Sequence, residues 1–536
     1  MNKLAVIILL SFIFARPLFS QIQNIVVSSS NFPNEVSIMI NPKNPNQVVI
    51  GSNILHFSPD TSLSGYYYST NGGLNWFTGI LQSNVARPSG DPVILVDTSG
   101  YFHFLQNSNY AANPHWWDRE LIMKSTNGGM NWSNGEAIGY DSLTIQDKPW
   151  GCVDFSNSPY KNSIYVTWTR FSGYIDPTPL DSSIIMFSKS ANGTNYNWSE
   201  AVRISKLSGN AFDSSNTVEG AVPCTGPNGE IYVCWAGPKI RNQQYGIFFD
   251  RSTDGGTTWL DNDIYVTDQP GGWYILIPNL IRCNGFPVSA CDNSNGPYRG
   301  NIYINWSDQR NGVNDCDVWL ITSTDGGNTW GQVKRVNNDP PGKQQFYNWM
   351  TIDQVTGYVY VIFYDQRSNP GFSANVYLAR STDGGDTFEN IRINSTAVTL
   401  VNWLYDYIGV SAYNGKVRPV WMGNNYSIVT AIVDSFYSIG INTLSNEIPK
   451  EYALHQNYPN PFNPVTGIEF DIAGQSYVKI LIYDITGREI EKLVDQKLSA
   501  GVYKTEWNAE NYPSGIYFYK LETDDFTEAK RMVLVK

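Results

Sequence analysis

The chain has 536 residues, of which 42% are hydrophobic and only 16% are charged, and its formal net charge is -12. Such an acidic surface repels phosphate backbones and anionic lipid headgroups, so we exclude nucleic acids and anionic membranes as expected partners. Aromatic residues reach 14%, alongside 45 glycines and 28 prolines. Many aromatics combined with many turn-forming residues predict an all-β protein built from numerous short strands.

Residues 1–20 have the pattern of a secretory signal peptide. Lys3 gives the basic start, an apolar run from Leu4 to Ala15 follows, and the segment ends at Ser20. This run is short for a membrane span, and no later stretch is long enough to be one. We therefore expect an exported protein with no transmembrane segment, whose mature chain begins near Gln21.

The six cysteines can form disulfides in an oxidising compartment. Cys283 and Cys291, which flank a Gly/Pro turn, are the expected pair. The sequence has no Cys-x-x-Cys motif and its four histidines are scattered, so it supports neither a zinc site nor a His-rich metal centre.

A short motif recurs six times and organises the first 440 residues. Five copies read Ser-Thr-Asn/Asp-Gly-Gly with Trp or Phe at the eighth position, and the third copy is one residue longer and degenerate. Copies start roughly 55–70 residues apart, a spacing that points to propeller blades. The copies begin at Ser69, Ser125, Ser190, Ser252, Ser323 and Ser381.

The third residue of each copy can accept hydrogen bonds from backbone N–H groups and so close a tight turn. The glycines can adopt positive φ, and the aromatic residue returns to the sheet and buries its ring. We therefore interpret the third residues as structural rather than catalytic. They are Asn71, Asn127, Asn192, Asp254, Asp325 and Asp383.

Segments with period-two alternation, rich in Val, Ile, Tyr and Trp, precede the copies and indicate strands. Four antiparallel strands per unit make a propeller blade. A seventh unit, between Tyr407 and Val433, lacks the motif and supplies only three strands. Residues 22–27 can supply its fourth strand and close the ring. We predict seven blades, with six as the alternative.

The six copies resemble the BNR or Asp-box repeats of sialidases and related secreted propellers, over about residues 22–440. The resemblance implies a β-propeller, whereas activity varies among such proteins. Sialidases grip the substrate carboxylate with three arginines, the first in a Phe/Tyr-Arg-Ile-Pro motif that is missing here. The segment that most resembles this motif is 86–93. In it, Asp91 occupies the position of the motif arginine, and Arg87 lies four residues before that position. A carboxylate there repels sialic acid, so we expect no sialidase activity.

The starts of the first strands surround the central channel, on the face opposite the Asp-box turns. The residues at these positions are mostly acidic, which predicts a site for a cation or for a cationic or polyhydroxyl ligand. The sequence leaves open whether a divalent cation binds in the channel, and it gives no sign of another cofactor. The alternative is that water and backbone N–H groups hold these side chains. The residues are Glu35, Asp91, Asp147 or Lys148, Glu219, Tyr347 or Asn348, and Asp406 with Tyr407.

Loops on the same face add further candidates. Trp116 and Trp117 are either a stacking surface for a sugar ring or anchors of their loop. An Asp-Gln-Arg triplet occurs at the same place in two successive blades, and we interpret each as an ion pair that braces its loop. These triplets contain Asp308 with Arg310 and Asp365 with Arg367.

The sequence changes character after Gly440. A polar linker, 442–451, leads to Asn-Tyr-Pro-Asn-Pro-Phe-Asn-Pro at 457–464 and then to five strand-like segments that predict a small β-sandwich. From about residue 452, this opening and the Gly-Arg turn at 487–488 closely resemble the type A sorting domain of the type IX secretion system. The resemblance implies passage through the periplasm and outer membrane, handling by the type IX machinery, removal of the domain, and release or surface attachment. The propeller then spans 21–441.

Three classes of function stay open. The preferred one is a secreted or surface propeller that binds a glycan or another surface ligand without sialidase activity. The second is a glycoside hydrolase with a rearranged site, which requires two carboxyl groups that converge across one pocket. The third is a structural adhesin.

The first prediction is that the protein is trimmed at both ends during export, because it carries both a signal peptide and a sorting tag. Mass spectrometry of the secreted form should find neither residues 1–20 nor the region beyond about residue 450. Full-length protein in the cytoplasm would contradict this.

Overall fold

The computed structural model describes residues 22–55, 62–109, 117–173, 182–191, 193, 195–211, 214–278, 280, 283–368, 371–400, 406–434, 442–445, 449–498, 500–509 and 512–536. The export signal expected at 1–20 lies outside these residues. Within them, the regular structure consists of strands and one 3-10 turn, Asn424–Tyr426. None of their helical segments has the length and apolarity to cross a membrane. The chain divides into two compact units, Met1–Asp434 and Ser435–Lys536.

Seven antiparallel sheets follow one another in the first unit and form the blades of a β-propeller, which confirms the predicted seven. Blades 1 and 2 contain β2 (Pro33–Ile40), β3 (Val48–Leu55), β4 (Ser62–Ser69) and β5 (Phe77–Ile80), then β6 (Arg87–Pro88), β7 (Val93–Val96), β8 (Phe102–Asn109), β9 (Arg119–Ser125) and β10 (Glu136–Ile138). Blades 3 and 4 contain β11 (Ile145–Val153), β12 (Ile164–Phe171), β13 (Ser183–Ser190) and β14 (Val202–Arg203), then β15 (Glu219–Thr225), β16 (Ile231–Ile240), β17 (Gln244–Ser252) and β18 (Ile264–Asp268).

Blades 5 and 6 repeat the pattern, and blade 6 carries one additional short strand. Their strands are β19 (Val288–Cys291), β20 (Ile302–Asp308), β21 (Asp317–Ser323) and β22 (Lys334–Arg335), then β23 (Gln345–Ile352), β24 (Val359–Asp365), β25 (Ser373–Ser381), β26 (Glu389–Arg392) and β27 (Val398–Thr399). Blade 7 contains β28 (Gly409–Tyr413), β29 (Lys416–Met422), β30 (Ile428–Ile432) and, from the other end of the sequence, β1 (Gln23–Ser28).

Both ends of the propeller sequence meet in blade 7 and close the ring. β1 pairs antiparallel with β30, with Gln23 opposite Ile432, so the predicted N-terminal strand is confirmed. The innermost strand of blade 1, β2, contacts both β7 of blade 2 and β28 of blade 7. Because the sheets form a closed ring, seven innermost strands surround one channel.

Large apolar side chains fill the spaces between neighbouring blades. Trp168 of β12 is fully buried in the cluster between blades 2 and 3, and Trp235 of β16 is fully buried between blades 3 and 4. Strands whose two faces both pack against a neighbouring sheet are buried along their whole length, as β8 and β20 are. Burial of these rings removes large apolar areas from water and holds adjacent blades together.

The Asp-box turns pack against the preceding blade. In the fourth copy, Asp254 Oδ1 accepts a hydrogen bond from the backbone N–H of Thr258 at 2.9 Å, and Oδ2 accepts one from the Thr258 hydroxyl at 2.6 Å. Gly256 has φ 79°, and a Cβ there would lie 2.5 Å from the Phe187 ring of blade 3. The motif therefore needs glycine for conformation and for space. Asn192 of the degenerate copy lies outside the described residues.

The expected Cys283–Cys291 disulfide is wrong, because all six cysteines are free thiols. The segment between the two is extended and leads into β19, which separates the thiols along the strand direction. Cys291 packs between blades 4 and 5 with Cys224 and Cys234.

The second unit is a two-sheet β-sandwich, as predicted. Its core contains Phe470, Trp507 and Tyr519. The expected linker 442–451 is partly wrong, because Asn442–Ser445 forms a strand that pairs with the strand Gly501–Asn508. The strands are β31 (Asn442–Ser445), β32 (Ala453–Leu454), β33 (Val465–Ile472), β34 (Ser476–Tyr483), β35 (Glu489–Leu498), β36 (Gly501–Asn508), β37 (Gly515–Glu522) and β38 (Thr527–Leu534).

The second prediction concerns the Asp-box turns. Asp383→Ala should lower the free energy of unfolding by about 1 kcal/mol, by analogy with a lost helix cap, because Asp383 accepts hydrogen bonds from the Asp386 and Thr387 backbones and the Thr387 hydroxyl. Urea unfolding followed by tryptophan fluorescence measures the change. Asp386→Ala removes the same charge from an exposed position of the same turn and serves as the control. Equal stability of the two variants would contradict a structural role for Asp383.

Candidate functional site

The innermost strands share a backbone irregularity at the end where they enter the channel. In blades 1, 3, 4 and 6, two residues of the first strand oppose a single residue of the second, which is a β-bulge. The first of the two has positive φ: 49° at Glu35, 51° at Lys148, 73° at Gly220 and 52° at Tyr347. Asp91, two residues before β7, has φ 45°.

Four of these five positions are not glycine, although the left-handed conformation costs other residues roughly 1–2 kcal/mol each. Bulges of this kind redirect a side chain away from the sheet face. Strain repeated at one level of the fold is typical of functional sites. The bulges therefore turn a ring of mostly charged side chains towards the channel mouth.

Lys148 lies at the centre of this ring. Its Nζ donates to Asp406 Oδ2 at 2.7 Å and lies 4.0 Å from Glu219 Oε1. Burial by itself lowers the pKa of the Lys148 ammonium, but Asp406 and the other acidic groups around it raise that pKa well above its usual value. The lysine therefore stays charged, and blades 3, 4 and 7 meet at this one group.

Asp91 and Glu35 form a carboxyl pair on the other side of Lys148. A hydrogen bond joins the two carboxyl groups, which requires one of them to hold a proton. Burial, and then the Glu35 charge, raises the pKa of Asp91 well above its usual range, while Lys148 opposes the shift. Asp91 Oδ2 is buried and has no hydrogen-bond partner among the described residues.

Amide and hydroxyl groups orient the remaining carboxylates. Asn107 Nδ2 donates to Asp147 Oδ1 at 3.1 Å. The Thr217 hydroxyl donates to Glu219 Oε2 at 2.7 Å. Asn284 Nδ2 donates to Asp406 Oδ1 at 3.1 Å, and Asn53 Nδ2 donates to Glu35 Oε2. These four carboxylates are thus each fixed by an amide or hydroxyl donor, and in the case of Asp406 the donor reaches across the mouth from blade 5.

An aromatic layer lies directly inside the mouth. The rings of Trp150 and Trp349, from blades 3 and 6, are 4.1 Å apart between centroids, and Tyr407 lies 5.8 Å from Trp150. Beyond them the channel is a cavity of about 440 Å³, lined largely by apolar residues such as Ile38, Val222 and Met350. The charged ring and the apolar channel are therefore separate environments.

The described residues of the sixth blade contribute no carboxylate to the ring. Tyr347 is buried and packs against Phe346 and Tyr364. Asn348 donates from Nδ2 to Asn305 Oδ1 at 3.0 Å and accepts from the Ser307 hydroxyl at 2.8 Å. These two predicted positions therefore support the wall of the mouth.

The two Asp-Gln-Arg loops form internal ion pairs. Arg310 makes hydrogen bonds to Asp308 at 2.6 to 3.1 Å and lies over Trp319. Arg367 donates to Asp365 Oδ2 at 2.8 Å and lies over the Tyr377 ring. These contacts are made with loops and outer strands, so the described residues do not bring either arginine into the mouth.

Trp117 borders the mouth beside Asp91. A Cβ on Gly90, the residue before Asp91, would lie 3.5 Å from the Trp117 ring. Trp117 is half-buried, and its backbone oxygen accepts a hydrogen bond from the N–H of Gln146. Its neighbour Trp116 lies outside the described residues.

The mouth thus places five carboxyl groups around one ammonium group. Sequence reasoning gave Lys148 only as the alternative to Asp147, and it missed Asn107, Thr217 and Asn284. The bulge in β11 explains why Asp147 and Lys148 are both present, because it interrupts the alternation of faces and lets two successive residues reach the mouth. In the described residues, no three His, Cys, Asp or Glu side chains converge as a metal site. Chemically, the described part of the ring offers many acceptor oxygens and a single ammonium group, which is paired with Asp406.

Comparisons with solved structures found β-propeller glycosidases. A Penicillium chrysogenum α-L-arabinanase with arabinobiose aligns at 12% identity and TM-score 0.40, over 64% of this chain and 92% of its own. A Fusarium graminearum α-L-arabinofuranosidase aligns at 13% identity and TM-score 0.41, over 63% and 91%. Trypanosoma rangeli sialidase with the inhibitor DANA aligns at 12% identity and TM-score 0.40, over 85% of each chain. These similarities assign no activity to this chain.

A comparison with curated proteins gave no significant match. Residues 456–536 match the family described as "Secretion system C-terminal sorting domain". A type IX sorting tail implies export, to the cell surface or the medium. Residues 456–536 are therefore similar to the sorting domains of the type IX secretion system, and a seven-bladed β-propeller precedes them in this chain.

Proposed function

We propose that the propeller is a secreted binding protein whose channel mouth recognises a polyhydroxyl ligand, a neutral or amino-substituted saccharide. The observation that carries this proposal is the excess of oriented carboxyl groups over a single lysine that is already paired with Asp406. Carboxylates accept strong hydrogen bonds from sugar hydroxyls and from ammonium groups.

The arrangement of donors around the ring supports the same ligand class. The amides of Asn53, Asn107 and Asn284 are used to orient carboxylates, so acceptor oxygens face the mouth. Asp91 Oδ2 is buried without a partner among the described residues, and a ligand hydroxyl or ammonium group would satisfy it.

Trp117 supplies an apolar surface beside these acceptors. A half-buried indole next to carboxyl groups suits a sugar ring, which presents C–H groups on one face and hydroxyls at its edge. An anionic saccharide is disfavoured, because its carboxylate would enter a site where the described residues place five carboxyl groups around one lysine that is already paired.

A glycoside hydrolase is the second candidate, and the state of Asp91 favours it. A general acid must keep its proton near neutral pH, and burial together with Glu35 raises the pKa of Asp91 well above its usual range. The neighbouring Asp147 is held by Asn107 and would be the second carboxyl group.

The third prediction tests binding. A glycan array with the mature propeller should identify neutral or amino sugars, and Asp91→Asn should weaken the affinity about tenfold, because it replaces a strong acceptor by an amide. Titration calorimetry measures the loss. Asp261→Asn, which changes an exposed aspartate in the same way, is the control. Unchanged affinity in Asp91→Asn, or binding restricted to anionic glycans, would refute the proposed site.

The fourth prediction concerns catalysis. The purified propeller should not hydrolyse a fluorogenic sialoside between acid and neutral pH, since the mouth repels the sialic acid carboxylate. A panel of neutral fluorogenic glycosides in the same assay tests the hydrolase candidate. Turnover of a neutral glycoside that disappears in Asp91→Asn would establish that candidate. If the propeller hydrolyses the sialoside and Arg310→Ala or Arg367→Ala abolishes this activity, these arginines bind substrate, and our interpretation that they only brace their loops is wrong.

A further inference from the structure

The apolar channel beyond the aromatic layer is lined by all seven innermost strands, which are β2, β7, β11, β15, β19, β23 and β28. Several lining residues keep part of their surface open to the channel although they lie at the centre of the propeller. They include Met39, Cys152, Ala290, Thr351 and Ala412, one from each of five blades. Apart from Thr351, these side chains offer apolar contact rather than strong hydrogen bonds.

Hydroxyl groups on the channel wall join neighbouring innermost strands. The Ser37 hydroxyl accepts a hydrogen bond from the Ile94 N–H at 3.0 Å, which links blades 1 and 2. The Ser289 hydroxyl donates to the Val222 backbone oxygen at 2.7 Å, which links blades 5 and 4. A buried water needs roughly two to four polar partners, and groups used in this way are not available to it. Water is therefore a poor occupant of this channel.

The channel is closed at the mouth, and its lining reaches the surface at the opposite face. Trp150 and Trp349 lie across its inner end, with 4.1 Å between their ring centroids. The Gly72 N–H of the first Asp-box donates to the backbone oxygen of Asn46, in the first turn of the same blade, at 2.8 Å. The first strands therefore end on the Asp-box face. Phe155, which follows β11 at this face, lines the channel and is 42% exposed.

The channel is narrow relative to its length. The chain from Trp150 to Phe155 covers about 16 Å when extended. Over that length, a volume of about 440 Å³ leaves a mean cross-section of roughly 30 Å². One unbranched apolar chain fits such a space, whereas a compact ring system or two chains side by side do not. We propose that the channel binds the hydrocarbon chain of a single-chain lipid, which enters from the Asp-box face.

Asn293 provides a polar anchor at the open end. It follows β19 and lines the channel at the Asp-box face. Its backbone N–H donates to Gln354 Oε1 at 2.7 Å, and its Nδ2 donates to the Thr225 backbone oxygen at 2.8 Å, so the amide is held in one orientation. Its Oδ1 is buried and has no hydrogen-bond partner among the described residues. A lipid head group with a hydroxyl would satisfy this oxygen while the tail fills the channel.

Removal of the chain from water supplies the affinity. Each additional buried methylene group should strengthen binding roughly fourfold, until the chain fills the channel. Binding of this kind needs no charge, so it should depend little on salt. The site is distinct from the mouth, whose acceptor oxygens lie on the other side of Trp150 and Trp349.

The fifth prediction tests the channel in the secreted protein with cis-parinaric acid, a fatty acid that fluoresces in apolar surroundings. The probe should bind saturably, and decanol should displace it at lower concentrations than hexanol, because more methylene groups are buried. Decanol should also displace it better than decyl methyl ether, which has no hydrogen to donate to Asn293. Equal displacement by decanol and hexanol would contradict a channel for the chain, and equal displacement by decanol and the ether would contradict the anchoring role of Asn293.

Two variants place the binding site inside the channel. Ala290→Phe and Ala412→Phe each add a ring to the wall, from blades 5 and 7, and should weaken binding of the probe at least about tenfold, because the ring overlaps the space of the chain. Ala137→Phe makes the same change at a partly exposed position of β10 and should bind like the wild type.

The melting temperature shows whether each variant is folded, and either channel variant can replace the other if one fails to fold. No saturable binding by the wild type, or equal binding by the wild type and a folded channel variant, would overturn the proposal.

Discussion

The pairing of β1 with β30 is the contact on which the rest of the propeller depends. It joins the first strand of the described chain to the last strand of the ring, so blade 7 is built from both ends of the propeller sequence. Only in a closed ring do all seven innermost strands enter one channel from the same side. Glu35 and Asp406, which are far apart in sequence, belong to one charged cluster for this reason.

Lys148 governs the energetics of that cluster. Several carboxyl groups this close would repel one another if all were ionised, and two features reduce the repulsion. Lys148 neutralises Asp406 directly, and burial together with Glu35 raises the pKa of Asp91 well above its usual range, which favours its neutral form. Removal of the lysine would leave buried charges without a partner, which is far more costly than loss of a surface ion pair. The lysine is therefore part of the architecture of the mouth as well as of its chemistry.

The two faces of the propeller differ: one contains the rigid Asp-box turns, and the other contains the mouth where ligand binding is proposed. On one face the Asp-box turns are held by their own hydrogen bonds and pack against the preceding blade, as Gly256 does against Phe187. On the other face, residues with left-handed backbone, Glu35 and Lys148 in bulges and Asp91 just before β7, direct their side chains inward at a cost in backbone strain. The aromatic layer of Trp150, Trp349 and Tyr407 keeps the apolar channel apart from the charges. Strain is concentrated where ligand contact is proposed.

The sequence by itself determined the repeat, the seven blades, the closing role of the N-terminal strand and the sorting domain, because these depend on local patterns. Gly-Gly turns, alternating strands and aromatic positions are read directly from neighbouring residues. The sequence also placed Glu35, Asp91, Glu219 and Asp406 at the mouth, because the up-and-down order of strands fixes which end of each innermost strand lies at the mouth of the channel.

Only the tertiary structure decided which of these groups interact. A β-bulge brings two successive residues, Asp147 and Lys148, to the mouth, and a simple alternation of faces does not anticipate that. The extended segment between Cys283 and Cys291 separates two thiols that are close in sequence. Contacts between blades join residues distant along the chain, and no local pattern encodes the distance between them.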